Sequence, residues 1–275
     1  MREPKFAGSF YPSSESGITE FVKHAIDAAD LSGKSVGKAH SYVTPHAGYI
    51  YSGGTAAFTY KAITLNERIK EIETIVIVGP NHTGFGKPIS VSLEDWKTPM
   101  GVSTNDKELS NAIAEASEYI DLDEEAHMGE HSIEVQLPFL QLLAPKKKLC
   151  MICMGDQSLD ASRILSGAIS DAAKKTRRKI LVLASSDFNH YESAEAAKKK
   201  DTPLLEAAAK MDYEKFNRLV GELQDTACGF GPITVAMMFS KAMGGSSGTL
   251  LKYSNSGDQT KDYSSVVAYS SIAFA

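Results

Sequence analysis

The chain has 275 residues, 43% hydrophobic and 23% charged, the balance of a globular protein long enough for a sizeable core in one large domain or two small ones. Net charge is −5 from 29 basic and 34 acidic residues, and the basic clusters at 146–148, 174–179 and 198–200 are short and lie on polar helical stretches, so nucleic acid is not an expected partner. No apolar run approaches the ~18 residues of a membrane span and the opening "MREPKFAGSFYPSS" has no apolar signal core, so no membrane contact and a cytoplasmic location are expected.

Helical spacing of apolar residues first occurs at 17–29, followed by a short β-branched run, "HSYVT", at 40–44. A helix is predicted at 53–63, strands at 74–79 ("TIVIVG") and 88–92, then helices at 106–118 and 133–143. The strand "KLCMICMG" at 148–155 precedes a helix at 159–176 and the strand "KILVLASSD" at 179–187. Helices follow at 194–210, 213–221 and 232–243, and the chain closes with strands at 249–256 and 264–275. Strands alternating with helices predict an α/β sheet covered on both faces, and the near-continuous apolar character of "TIVIV" and "KILVLA" marks central strands. The short polar loop "GDQTKD" between the last two strands predicts an antiparallel hairpin, which makes the sheet mixed. No linker or repeat divides the chain, so a single domain over 1–275 is expected.

Ligands of open α/β sheets gather outside the carboxyl ends of the strands. Three of the seven histidines stand at such places: His46 after "HSYVT", His82 after "TIVIV", and His190, with Asp187, after "KILVLASS". His127 and His131 match the H-x-x-E-H zinc-peptidase pattern, but Gly129 interrupts the continuous helix that pattern needs. The stretch reads instead as a loop entering a helix at His131, with Glu134 one turn on. These two are substrate-facing groups or plain caps. Cys150 and Cys153 lie inside a strand and read as packing. Cys228, in "ACGFGPI", precedes a helix that Pro232 is suited to start, where exposed N–H groups favour a thiolate. Beside His46 and His82 it is the natural third ligand of a metal with open positions. "GPNHTGFGKP" lacks phosphate-loop spacing, and neither a dinucleotide fingerprint nor a nucleophile elbow is present.

The pieces "FAGSFYP", "PHAGYIYSG", "GPNHTG", "EHSIEVQLPFL", "SSDFNHY" and "ACGFGPI", in this order, resemble the Memo family along almost the whole chain. The resemblance implies a three-layer α/β/α fold with a central mixed sheet, like that of the class III extradiol dioxygenases. It implies metal ligands at His46, His82 and Cys228, with iron as the expected metal and copper or zinc as alternatives. Cysteine in place of the carboxylate of the dioxygenase triad is a departure that shifts metal preference. His190 takes the place of the acid/base histidine, Asp187 is suited to orient it, and His131 and Glu134 are expected in the same cleft. The expected function is a metal-dependent oxidoreductase acting on a small molecule or peptide. A non-catalytic metal- or peptide-binding protein and a metal-assisted hydrolase are the alternatives.

Overall fold

Side chains alternate across a strand, and in the computed structural model, which describes residues 1–275, that alternation fills two separate cores. The strands are β1 (Ser41–Thr44), β2 (Thr74–Pro80), β3 (Ile89–Val91), β4 (Trp96–Thr98), β5 (Gly101–Ser103), β6 (Asp121–Leu122), β7 (Lys148–Met154), β8 (Ile180–Ser185), β9 (Asp187–Glu192), β10 (Gly248–Asn255) and β11 (Val266–Phe274). Nine of them form one mixed sheet in the order β10-β11-β1-β8-β2-β7-β3-β6, with β9 paired to β11, while β4 and β5 make a separate hairpin. The four central strands, β1, β8, β2 and β7, run parallel. β10 and β11 pair antiparallel, as their short polar connection predicts.

The helices are α1 (Glu15–Ala28), α2 (Gly54–Leu65), α3 (Lys107–Ala114), α4 (Leu137–Leu143), α5 (Leu159–Thr176), α6 (Ala194–Ala209), α7 (Tyr213–Glu222), α8 (Phe230–Ala242) and α9 (Gly257–Thr260). On β2, Val76 and Val78 join the core shared with α3, α5, α7 and α8, and Ile75 and Ile77 join the one shared with α1, α2 and α4. Each such side chain contributes about 1.5–3 kcal/mol on burial. The same period sends Cys150 to one face of β7 and Cys153 to the other, so the two thiols cannot share a metal. No helix is long and apolar enough to cross a membrane.

Three departures from the sequence expectations shape the site. The run expected as one strand at 179–187 breaks at Ser186: β8 ends there, and β9 turns away to pair with β11. The helix expected from 133 starts as a 3₁₀ turn at Glu134–Gln136, and α2 is preceded by a π turn at Tyr49–Gly53. All three irregularities lie near the carboxyl ends of the parallel strands, where turns must aim side chains rather than continue a ladder.

Candidate metal centre

β1 ends at Thr44, and Pro45 carries the chain out so that His46 tucks back under the sheet edge, almost fully buried. Its backbone N–H donates to Asp187 Oδ1 at 2.8 Å. Its ring Nδ1 meets Ser185 Oγ at 2.8 Å. Ser185 spends its own hydrogen on the Ser132 carbonyl at 2.7 Å and accepts from Gln136 Nε2 at 3.0 Å. Its oxygen is therefore left only an acceptor's role toward His46, which places the imidazole proton on Nδ1 and the lone pair on Nε2. Burial, then the neighbouring His131, His82 and His190, push His46 well below the usual histidine range. The ring is neutral, the form a metal binds.

His82 is handled in the same way by a carboxylate. Glu130 is fully buried, and its oxygens accept from His82 Nδ1 at 2.9 Å, His82 N at 2.6 Å and Ser132 N at 2.8 Å. Burial alone would raise this carboxyl, but the bond to His82, its charge and the backbone donors bring it down to about 2. An ionised Glu130 can only accept, so the neutral form of His82 carries its proton on Nδ1 and leaves Nε2 bare. Gly79, at the end of β2, permits the close approach: a Cβ there would stand 2.5 Å from Ser132 Oγ. His131 lies 3.5 Å from Glu130 through Nδ1 and is pushed down to about 4, chiefly by burial.

Cys228 arrives from the turn before α8 and sets its sulfur 3.1 Å from His46 Nε2. The N–H that reaches this sulfur belongs to Asp187, at 3.3 Å, not to the helix terminus that the sequence suggests. Burial, then the Asp187 charge, push the thiol well above the ordinary cysteine range. Without a metal it is a thiol, and the expected thiolate stabilisation by α8 is not what the structure provides.

The donor atoms of His46, His82 and His131 all lie within 4.8 Å of one another. Three imidazoles on one ion, with metal–nitrogen bonds of about 2.0–2.1 Å, put their ring centres roughly 4.5–5 Å apart at angles of about 90–110°. The ring centres here are 5.1 Å apart for His46–His82, 5.3 Å for His46–His131 and 4.6 Å for His82–His131. The residues present fit a metal ion on His46, His82 and His131, and the Cys228 sulfur adjoins this set through its contact with His46.

The remaining expected residues divide. Asp187, His131 and His190 line one cleft of about 540 Å³ with Phe10, Tyr51 and Tyr191. Asp187 does not orient His190: its oxygen takes the N–H groups of His46 and Ala47, and burial pushes it up to about 7 against those two donors. The Thr226 carbonyl, 3.1 Å from His190 Nδ1, does the orienting, because a carbonyl can only accept. Glu134 is absent from the cleft. Its carboxylate is buried against Arg2 Nη1 at 2.5 Å and also takes the N–H groups of Lys5 and Phe6 and the Tyr11 hydroxyl. A carboxylate so placed turns to the N-terminal segment because the only buried cation within reach is there. His127 is likewise apart, fully buried with Nε2 on the Ser90 carbonyl at 3.1 Å. Glu130, Ser185 and Thr226 carry roles that sequence reasoning did not assign, although the first two lie inside the motifs quoted above.

Comparison with known proteins identifies the family and the fold. A family model described as "Memo-like protein" matches residues 2–273. A "MEMO1 family protein" of Nitrosopumilus maritimus is 39% identical over 279 residues, covering 100% of this chain and 99% of its own. Relatives of the same description from Methanosarcina mazei and Desulfurococcus amylolyticus are each 40% identical, with 99% of this chain and 98% of theirs aligned. The crystal structure of the uncharacterized protein JW3007 from Escherichia coli K12 shares the fold, with a TM-score of 0.52 and 15% identity over 86% of this chain and 100% of that one.

Proposed function

The chain belongs to the Memo-like protein family, and on that premise we propose that it is a metal-dependent oxidoreductase, one domain holding a non-haem metal on His46, His82 and Cys228. Iron is the metal proposed first, with copper and zinc as competitors for a mixed nitrogen and sulfur site. The observation that carries the reading is the pair of Nδ1 hydrogen bonds to Ser185 and Glu130, which leaves Nε2 of His46 and of His82 free for a metal, with the Cys228 sulfur beside His46 Nε2. A metal bound there supplies a Lewis acid and, where it is redox-active, an electron-transfer centre.

The chain's own groups supply the rest. His190, with Nδ1 on the Thr226 carbonyl, keeps Nε2 as its free base at the cleft wall. Asp187 holds the His46 backbone in place and keeps one oxygen 4.0 Å from His46 Nε2. Phe10, Tyr51 and Tyr191 give the cleft apolar walls for a small molecule or peptide side chain. His131, packed 4.7 Å from the Phe10 ring, forms the floor between that space and the ligands.

The test is anaerobic loading with Fe(II), Cu or Zn, followed by oxygen uptake with a catechol panel and by ester and amide hydrolysis assays. Metal-dependent oxygen uptake is the expected result. Hydrolysis without oxygen uptake would make the protein a metal-assisted hydrolase. Stoichiometric metal with neither activity would make it a metal- or peptide-binding protein.

A further inference from the structure

Arg2 is buried 132 positions in sequence from Glu134, its ion-pair partner, with its guanidinium 4.1 Å from the centre of the buried Trp96 ring. Its nitrogens all donate into one turn. Nε reaches the His127 carbonyl at 2.8 Å, Nη2 the Glu130 carbonyl at 3.0 Å, and Nη1 the Glu134 carboxylate at 2.5 Å. The same carboxylate accepts from Phe6 N and the Tyr11 hydroxyl, both at 2.8 Å. Phe6 and Phe10 then pack on the His131 ring, with centres 5.6 and 4.7 Å away. Residues 2–11 thus hold the turn that carries Glu130 and His131.

That turn has an intrinsic weakness, because Gly129 sits between the two carbonyls that Arg2 grips. A glycine gives the backbone the widest choice of conformations, so the direction of the Glu130 carboxylate must be fixed from outside. We propose that Arg2 is a positioning residue of the metal centre: by gripping the carbonyls on both sides of Gly129 it aims Glu130 at His82 and so sets which nitrogen of His82 is bare. The inference rests on the reading above that His82 serves a metal. It needs arginine specifically, since a lysine can pair with Glu134 but has no planar fork to reach the two carbonyls as well.

The test compares the parent with Arg2→Lys and Arg2→Gln by anaerobic Co²⁺ titration, reading both affinity and the visible d–d spectrum. A loss of about 10–100-fold in affinity with a changed spectrum is expected in both variants, as when an outer hydrogen-bond partner of a ligand histidine is disturbed. Arg2→Lys binding with the parent's affinity and spectrum would overturn the proposal. Amide hydrogen exchange on the parent decides the matter independently of how the variants fold. The N–H groups of Lys5 and Phe6, which bond Glu134, and of His82 and Ser132, which bond Glu130, should open as one unit. Free exchange at Lys5 and Phe6 with full protection at His82 and Ser132 would overturn it. A parent that binds no Co²⁺ would remove the metal reading alone, while the exchange pattern still decides whether Arg2 fixes the turn.

Discussion

Glu130→Gln keeps the shape of a buried side chain and removes its charge, which isolates what that charge does for His82. The carboxylate accepts from His82 Nδ1, His82 N and Ser132 N, at 2.9, 2.6 and 2.8 Å. A glutamine has one acceptor oxygen, and its NH₂ must then face at least one of these N–H donors. One charge-assisted bond is lost and one donor–donor contact is made. For a ligand histidine such a change costs about 10–100-fold in metal affinity, or about 1.4–2.7 kcal/mol. The metal-free fold loses stability too. Glu130 falls from an ordinary 4.5 to about 2 on folding, so its stabilisation is complete above pH 4.5 and disappears as the pH drops toward 2. At neutral pH that shift corresponds to about 3 kcal/mol. Chelator-competition titration with Zn²⁺ and urea unfolding at pH 7 and pH 3 measure the two effects. The variant should bind more weakly at pH 7, and its stability deficit should shrink at pH 3. Equal affinity and equal urea midpoints at pH 7 would refute the reasoning.

His190→Ala should keep stoichiometric metal while cutting any turnover by roughly 10²-fold or more, checked by metal analysis beside steady-state rates. Asp187→Asn should instead weaken metal binding, because its oxygen holds the His46 backbone rather than the His190 ring; an unchanged titration curve would count against that assignment. At Gly229 a Cβ would fall on the Ser185 carbonyl oxygen and the Ser186 side chain, so Gly229→Ala must move the Cys228 turn. Its expected signature is a loss of metal affinity, read by the same competition titration. Burial raises the Cys228 thiol, so binding must release its proton, and affinity for Zn²⁺ should climb by up to about tenfold per pH unit between pH 6 and 8. In Cys228→Ser that slope should flatten.

The α/β architecture was legible because near-continuous apolar runs such as "TIVIV" and "KILVLA" are what a parallel sheet buried on both faces requires. Strand ends were legible for the same reason, since a polar residue directly after such a run must stand at the sheet edge. His46 and His82 were found that way. The break at Ser186 was not, because Asp187 to Glu192 follow β8 without an intervening Gly or Pro and pair only with the distant β11. Glu130 was hidden by its surroundings: in a polar stretch beside Gly129 nothing local marks one carboxylate as buried. Glu134 looked equally suited to the cleft, and its true partner, Arg2, lies 132 positions away. The H-x-x-E-H string shows the same limit. Gly129 correctly argued against a helical peptidase site, but the glutamate inside the string supports His82 from a turn.

The central claim is that His46, His82 and Cys228 share one metal, and Cys228→Ser with anaerobic Co²⁺ tests it most directly. The parent should take up one equivalent and show a near-ultraviolet sulfur-to-cobalt charge-transfer band, which the variant should lose along with affinity. One equivalent bound with no such band, unchanged in Cys228→Ser and abolished in His131→Ala, would contradict it and give the third position to the histidine.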